Sequence, residues 1–210
     1  FDVRNNSNQT RYAEAERIGL GYAETIEKAL EHLEVIKFKR LQTVSTPVIA
    51  DPRQLTAAEL AEAQAVMDKY PDVDISPEST RDLTSEDLAK KTPFALKYFA
   101  SKLMEITEDK DPRQFILTGF ELGSAFIASM PSEPFTENGL RVRKACFPQH
   151  LCLIAALANG TGNDHVGGGY IPNAWNYNRG GYETTPRSNP YAQDTAERIV
   201  AAWKKLAAEL

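Results

Sequence analysis

The segment from Arg113 to Pro131 constrains the fold more than any other part of the chain. It reads RQFILTGFELGSAFIASMP, which is two apolar runs around turn residues near Glu121 to Gly123. The second run is apolar enough to be buried on both faces, as is typical of a strand inside a covered sheet. A helix from about Pro134 to Cys146 and a further buried strand, HLCLIAALANG, are predicted next. We therefore predict an α/β fold, a layered mixed sheet with flanking helices.

Helical patterns flank this segment on its N-terminal side. Apolar residues at helical spacing predict an amphipathic helix over residues 10–33, with Thr10 as a plausible N-cap. Thr56 precedes Glu59 by three residues, a capping-box pattern that predicts a helix from Thr56 to Tyr70. Residues 84–110 predict one or two helices with a break near Lys91, since Pro93 disfavours helical geometry in the residue before it.

Two further elements complete the prediction. Apolar and polar residues alternate from Val35 to Val48, which predicts a half-buried strand whose lysines face solvent. The chain closes on the segment DTAERIVAAWKKLAAEL, where we predict a helix with an apolar face of Ile199, Val200, Trp203 and Leu206.

Composition excludes some classes of function. The 210 residues are 42% hydrophobic and 25% charged, which is typical of a globular domain able to bury a sizeable core. A net charge of −5 with scattered Lys and Arg argues against nucleic-acid binding. No apolar run has the length of a transmembrane span. The chain lacks an initiator Met, so we interpret it as a mature, processed or truncated piece of something longer.

Two loops and two cysteines stand out. Residues 71–82 are polar and contain prolines, so we predict an exposed loop there. Residues 161–190 are rich in Gly, Asn and Tyr with little periodicity, and a loop this long in a compact domain is usually functional or disordered. Cys146 and Cys152 are compatible with a short-loop disulfide, but we favour two buried thiols flanking a helix-to-strand turn.

Glu133 is the first candidate for chemistry, because it follows an apolar strand and precedes a helix. It is either an acidic first-turn residue favoured by the helix dipole, or a metal ligand or general base at a strand end.

The late loop, residues 161–190, is the second candidate. Its glycines 167–169 permit close backbone approach, and it offers aromatic walls and phenolic hydroxyls from Tyr170, Trp175, Tyr177 and Tyr182.

Other types of site are disfavoured. His165 is as compatible with a plain solvent-exposed loop histidine as with a functional one. The chain has only three histidines and no HxH or HExxH pattern, so it cannot assemble a histidine-rich zinc site by itself. No GxSxG elbow surrounds Ser129 or Ser132, which argues against a serine-hydrolase triad.

The order of the motifs carries a resemblance. A buried strand followed by PSEPF and a short helix with LRVR, then a buried strand ending in ANG, then GYIP, then GGYE and a terminal amphipathic helix, resembles the C-terminal part of the catalytic domain of the neutral/alkaline non-lysosomal ceramidase family. The resemblance covers Arg113 to Leu210 in wording and residues 10–110 in arrangement. It departs from the family at Ser132, where glycine is usual, and at Pro134, where an aromatic residue is usual.

The resemblance implies a zinc-dependent amidase that cleaves the N-acyl bond of ceramide to give sphingosine and a fatty acid. Carried over by motif, the zinc-binding glutamate falls on Glu133 and the zinc-binding tyrosine on Tyr170, with Tyr177 as a competing candidate. Tyr182, in GGYE, matches a tyrosine beside the scissile amide. Two histidine ligands are expected from a segment preceding Phe1, so the 210 residues are expected to be part of a larger catalytic domain.

The resemblance also implies partners and a location. A ceramide-like lipid is the expected substrate, an N-terminal fragment of the same precursor is the expected protein partner, and the expected location is secreted or periplasmic. Three alternatives stay open: a non-catalytic binding or structural module that keeps the fold without metal, a hydrolase of another amide, and a metal-independent hydrolase with Glu133 as general base.

Overall fold

The computed structural model describes residues 11–76, 83–108, 111–158, 169–186 and 188–210. The chain divides into two compact units, residues 1–37 and 38–210. In the first unit, helix α1 spans Arg11–Leu30, which confirms the predicted helix with an earlier end than expected. The predicted cap, Thr10, lies outside the described residues. The apolar side chains Leu20 and Ile26 of α1 are more than half exposed.

The second unit contains the other described helices and strands. Its helices are α2 (Ala57–Lys69), α3 (Ser85–Lys90), α4 (Pro93–Glu108), α5 (Thr136–Cys146) and α6 (Thr195–Ala207). Its strands are β1 (Gln42–Ala50), β2 (Arg113–Leu122), β3 (Ala125–Ser129), β4 (Glu133–Pro134), β5 (Leu151–Ala155) and β6 (Tyr170–Ile171). No described helix is both long and apolar enough to cross a membrane.

Four of the strands form one mixed sheet in the order β1-β2-β3-β5. β1 and β2 are antiparallel, as are β2 and β3, whereas β3 and β5 are parallel and are connected through α5. In β3, Ala125, Phe126, Ala128 and Ser129 are buried and Ile127 is partly buried, so side chains of both faces are covered, as predicted. The predicted α/β class, a mixed sheet with flanking helices, is therefore confirmed.

The core lies between this sheet and the helices α5 and α6. Phe115, Leu117 and Phe126 project from the sheet and are fully buried. Val142 of α5 and Trp203 of α6 are also fully buried in the same cluster. The predicted apolar face of the last helix is confirmed, since Ile199, Val200, Trp203 and Leu206 are all buried.

Local signals placed the helices between β1 and β2 correctly. Thr56 caps α2 in a capping box with Glu59, as predicted. The predicted break near Lys91 separates α3 from α4, and Lys91 adopts a left-handed conformation with φ 48°. Residues 71–76 contain no helix or strand, and their carbonyl groups at Pro71 and Val73 accept hydrogen bonds from Lys97 Nζ at 2.8 and 2.7 Å. Residues 77–82 of the predicted loop lie outside the described part.

The first strand begins later than predicted. We expected it from Val35, but β1 starts at Gln42, which is paired with Glu121. The partner strand β2 ends at Leu122 and turns at Gly123, so residues before Gln42 have no strand to pair with there. From Gln42 onward the predicted alternation of burial is present.

A strand follows α5 as predicted, but the prediction that it is buried was wrong. In β5, Cys152 is buried, but Leu151 and Leu153 are 64% and 48% exposed. These leucines are exposed because β5 is the last strand of the four-stranded sheet and has one sheet neighbour, β3. Cys146 and Cys152 are free thiols, the favoured alternative, although Cys146 is only partly buried. Burial raises the pKa of both thiols.

Candidate functional site

The chain leaves the sheet at the end of β3 and reaches Glu133 through a tight reversal. Ser132 has φ 54°, in the left-handed region that favours glycine, and it is the position where the resembled family usually has glycine. Its side chain is buried, and its hydroxyl lies 3.3 Å from the Tyr191 hydroxyl. This reversal directs Glu133 into the short strand β4, where its side chain is exposed.

Glu133 is not a first-turn residue of the following helix. Helix α5 begins at Thr136, after Phe135 in the N-cap position, and the acidic residue of its first turn is Glu137. The helix-dipole interpretation of Glu133 was therefore wrong, and it applies to Glu137 instead.

β4 and β6 bring Glu133 next to Tyr170. The two strands are parallel, with Glu133 paired to Tyr170 and Pro134 to Ile171. The Glu133 N–H donates to the Gly169 carbonyl at 3.1 Å, and the Phe135 N–H donates to the Ile171 carbonyl at 3.2 Å. Residues from the PSEPF and GYIP motifs, which are far apart in the sequence, are thus neighbours in one small sheet.

The side chains of this pair also interact. The negative charge of Glu133 is the main cause that raises the pKa of Tyr170, and a side-chain hydrogen bond between the two adds to the effect. Tyr182 and Glu183 contribute in the same direction. The Glu133 carboxylate therefore favours the protonated form of the Tyr170 phenol.

Tyr182 lies beside this pair. It begins a short 3-10 helix, Tyr182–Thr184, and its ring meets the Tyr170 ring edge-on with centroids 5.9 Å apart. The Tyr182 side chain is 56% exposed, and no described residue hydrogen-bonds its hydroxyl. Its carbonyl is held by the Thr185 hydroxyl at 2.7 Å and by the Ser188 hydroxyl. The backbone of Tyr182 is thus fixed by contacts that leave its phenol exposed.

Tyr177, the competing ligand candidate, has different partners. Its hydroxyl accepts a hydrogen bond from the buried amide of Asn189, and the Arg53 guanidinium lies 5.5 Å from its ring centroid. Burial raises the pKa of Tyr177. The described contacts therefore place Tyr170, not Tyr177, beside Glu133.

An open cleft of about 450 Å³ lies along Glu133 and Tyr170. Its walls include the aromatic rings of Phe135, Tyr170 and Trp175 and three carboxylates, and no Lys or Arg is among the described residues that line it. The lining residues are Glu133, Pro134, Phe135, Thr136, Glu137, Tyr170, Asn173, Trp175, Asn176 and Glu183. Such a cleft has a negative potential that favours a cation.

Gly169 makes the approach of the two strands possible. It has φ 98°, and a Cβ at this position would lie 2.8 Å from the Ser188 carbonyl oxygen. That carbonyl accepts the Tyr170 N–H at 2.7 Å, so it cannot retreat without releasing Tyr170. The backbone freedom expected of glycines 167–169 is therefore required at Gly169, while 167 and 168 lie outside the described residues.

We expect Gly169→Ala to lower the free energy of unfolding by about 2–3 kcal/mol, because strain at a positive φ adds to this clash. Gly180→Ala is the matched control, since Gly180 has φ 72° but no described atom within 4 Å of the place that an alanine methyl group would occupy. It isolates the conformational strain, expected at about 1 kcal/mol. Urea denaturation of both variants measures the difference, and equal losses would contradict the role given to the Ser188 carbonyl.

Sequence reasoning missed a buried pair of amides under this site. Asn138 of α5 is 0% exposed and Asn173 is 2% exposed. The Asn138 amide donates to the Ile171 carbonyl at 2.9 Å, and the Asn173 amide donates to Asn138 Oδ1 at 2.8 Å. One signal was present, because Asn138 lies one turn before the buried Val142 and thus on the inward face of the predicted helix.

The donor set of the described residues fits part of a zinc shell. Glu133 and Tyr170 bring two oxygen donors to one place, which suits a mixed N/O shell. Within the described ranges, no group of three or more His, Cys, Asp and Glu side chains is arranged to hold a metal. His165 lies outside these ranges, and His150 instead lies 3.4 Å from Glu121. Further ligands for a complete shell would have to come from elsewhere.

Comparisons with known proteins give structural likenesses but no sequence match. No protein-family model matches the sequence, and no curated protein matches it. Among solved structures, the chain is similar to one described as "Ceramidase complexed with C2", with a TM-score of 0.44 and 13% sequence identity. The match covers 80% of this chain and 30% of that chain. Because the TM-score is this low, the likeness assigns neither a family nor an activity to the chain.

Proposed function

We propose that this chain contributes part of the active site of a zinc-dependent amidohydrolase that cleaves the N-acyl bond of ceramide or a related N-acyl lipid. The observation that carries the proposal is the convergence of three motif residues. Glu133 is paired with Tyr170, and the ring of Tyr182 packs against that of Tyr170. Each belongs to a separate sequence motif, so their meeting in one place favours a shared role.

Glu133 and Tyr170 would hold the metal, together with two histidines from a segment preceding Phe1. When bound, zinc supplies a Lewis acid that polarises the amide carbonyl and makes water nucleophilic at neutral pH. The three carboxylates that line the cleft, without a described basic residue among them, stabilise a cation there. Ligation of a metal by Tyr170 would displace the phenol proton, so metal affinity would rise with pH.

Tyr182 would act on the substrate. Its phenol is exposed beside the Glu133–Tyr170 pair and is not hydrogen-bonded by any described residue. Hydrolysis of an amide develops negative charge on the carbonyl oxygen and requires a proton for the leaving nitrogen. A fixed phenol donates a hydrogen bond to either atom, and removing one such donor costs about 10²–10³ in kcat.

The same resemblance leads us to propose the partners and location. The N-terminal fragment of the precursor would supply the histidines, and the aromatic walls of the cleft would contact a lipid-like amide. A secreted or periplasmic location belongs to the same proposal.

Hydrolysis of ceramide by the full protein, with sphingosine release as the readout, tests this function. We expect Tyr182→Phe to lower kcat by about 10²–10³ with a smaller change in KM, because the phenol acts on developing charge. Tyr22→Phe, in the first unit and 70% exposed, is the matched control and should retain full activity.

Three results would contradict parts of the proposal. Absence of hydrolysis in the wild-type protein would overturn the activity and favour a non-catalytic module or another amide substrate. Full activity in a strong chelator would overturn the zinc requirement and favour Glu133 as a general base. Full activity in Tyr182→Phe would remove Tyr182 from the mechanism.

A further inference from the structure

The sheet that presents Glu133 and Tyr170 is too small to hold itself together. β4 and β6 have two residues each, and at either end of their pairing the Glu133 N–H donates to the Gly169 carbonyl at 3.1 Å and the Phe135 N–H to the Ile171 carbonyl at 3.2 Å. Even isolated hairpins with longer strands are only marginally stable in water. The register of Glu133 against Tyr170 therefore depends on groups outside the two strands.

The buried amide of Asn138 supplies such a group. It lies in the first turn of α5, and its Nδ2 donates at 2.9 Å to the Ile171 carbonyl, directly after Tyr170. That carbonyl also accepts the Phe135 N–H, and the Asn138 N–H in turn donates to the Phe135 carbonyl at 2.9 Å. The first turn of α5 thus contacts β6 directly and the residue that follows β4.

Asn173 extends this contact along the late loop. Its amide donates to Asn138 Oδ1 at 2.8 Å, and its own Oδ1 lies 3.5 Å from the Asn176 amide. Asn176 ends the short 3-10 helix that carries Trp175, one of the aromatic walls of the cleft. These contacts use both the amide donor and the carbonyl acceptor of the Asn138 side chain. Ionised aspartate lacks the donor, and leucine lacks both groups.

Asn138 is in turn fixed by the core. It is fully buried, and one turn later Val142 is fully buried in the cluster between the sheet and the helices. A side chain locked in this way can set the geometry of a site at the surface. The Glu133 side chain, by contrast, is exposed, so burial does not fix its position.

We propose that Asn138, acting through Ile171 and Asn173, is a positioning residue that sets the register of Glu133 against Tyr170. The catalytic consequence rests on the proposed function, whereas the structural consequence does not. Asn138→Leu removes both hydrogen bonds at similar volume, and Asn173→Ala removes the second one alone if the first variant fails to fold.

Hydrogen-exchange mass spectrometry of the full protein tests the proposal. We expect exchange to rise at least about tenfold in peptides covering 133–138 and 169–176, as follows from the loss of buried hydrogen bonds. Peptides of β2, 113–122, should keep wild-type exchange. Ser129→Ala is the matched control, because it also removes a buried hydrogen bond, but in the four-stranded sheet. The Ser129 hydroxyl accepts the Thr118 N–H there at 2.7 Å.

Unchanged exchange at 133–138 and 169–176 in a folded Asn138→Leu protein would overturn the proposal, as would a uniform rise that includes 113–122. Zinc content and ceramide hydrolysis of the same samples separate the two proposals. Local loosening in a protein whose wild type neither binds zinc nor hydrolyses ceramide supports the positioning role and contradicts the function. An active wild type with an equally active, equally protected Asn138→Leu variant contradicts the positioning role alone.

Discussion

Replacing Trp203 with alanine is expected to lower the free energy of unfolding by about 3–5 kcal/mol. Trp203 is the largest of the fully buried side chains in the described part of the chain, and it lies on α6 against the sheet. Its ring centroid is 6.0 Å from that of Phe126 and 5.9 Å from that of Phe147, both in edge-on geometry. Alanine would leave a cavity among aromatic rings that themselves stack at 3.8 Å and cannot easily collapse into it.

Trp203 also makes a buried hydrogen bond that alanine would lose. Its indole N–H donates to the Ser129 carbonyl at 3.1 Å, at the end of β3 where the chain turns toward Glu133. Losing the donor leaves a buried carbonyl with one partner fewer, which adds to the cavity cost. The same substitution is thus expected to loosen the exit from the sheet.

Urea denaturation followed by circular dichroism measures this effect. Trp203→Phe is the control that keeps an aromatic ring and removes the donor, and we expect it to cost about 1–2 kcal/mol. A loss below about 1 kcal/mol for Trp203→Ala would contradict the packing described for α6.

Much of this fold followed from local sequence signals. The turn near Gly123 separates two strands as predicted, because the flanking runs are apolar and glycine supplies the φ of 61° that the turn requires. Thr56 and Glu59 are close in sequence and form their capping box without help from the rest of the chain. The apolar face around Trp203 was predictable because helical spacing alone defines it.

Elements that depend on distant partners were predicted less well. β1 begins at Gln42 because its partner strand β2 ends at Leu122. The alternation of apolar and polar residues before Gln42 contains no information about that partner. The exposure of Leu151 depends on the place of β5 at the end of the sheet. The pairing of Glu133 with Tyr170 was expected only through motif resemblance, because a two-residue strand has no periodicity to detect. The role of the Asn138 amide depends on its hydrogen bond to the Ile171 carbonyl, which is distant in the sequence.

Glu133→Gln is expected to have the largest effect on function. Glutamine keeps the size of the side chain but removes the anionic oxygen that a metal prefers, so we expect zinc binding and ceramide hydrolysis to be lost. Stability should change little, because Glu133 is exposed and its strand pairing uses backbone groups. Circular dichroism and the urea midpoint check that the fold is retained.

Glu137→Gln is the matched control. Glu137 lines the same cleft, but it lies in the first turn of α5 rather than opposite Tyr170. We expect this variant to retain zinc and most of the activity, with a loss of about 0.3–1 kcal/mol in stability from the helix dipole. Equal loss of zinc in both variants would indicate that the cleft attracts metal only through its overall charge.

The most direct test is the zinc content of the full protein, measured by elemental analysis together with the intact masses of the chains present. Our account predicts about one zinc per molecule in the wild type, accompanied by the N-terminal part that supplies histidines, and none in Glu133→Gln. A correctly folded wild-type protein without zinc, or a Glu133→Gln protein with an undiminished content, would contradict the assignment of this site.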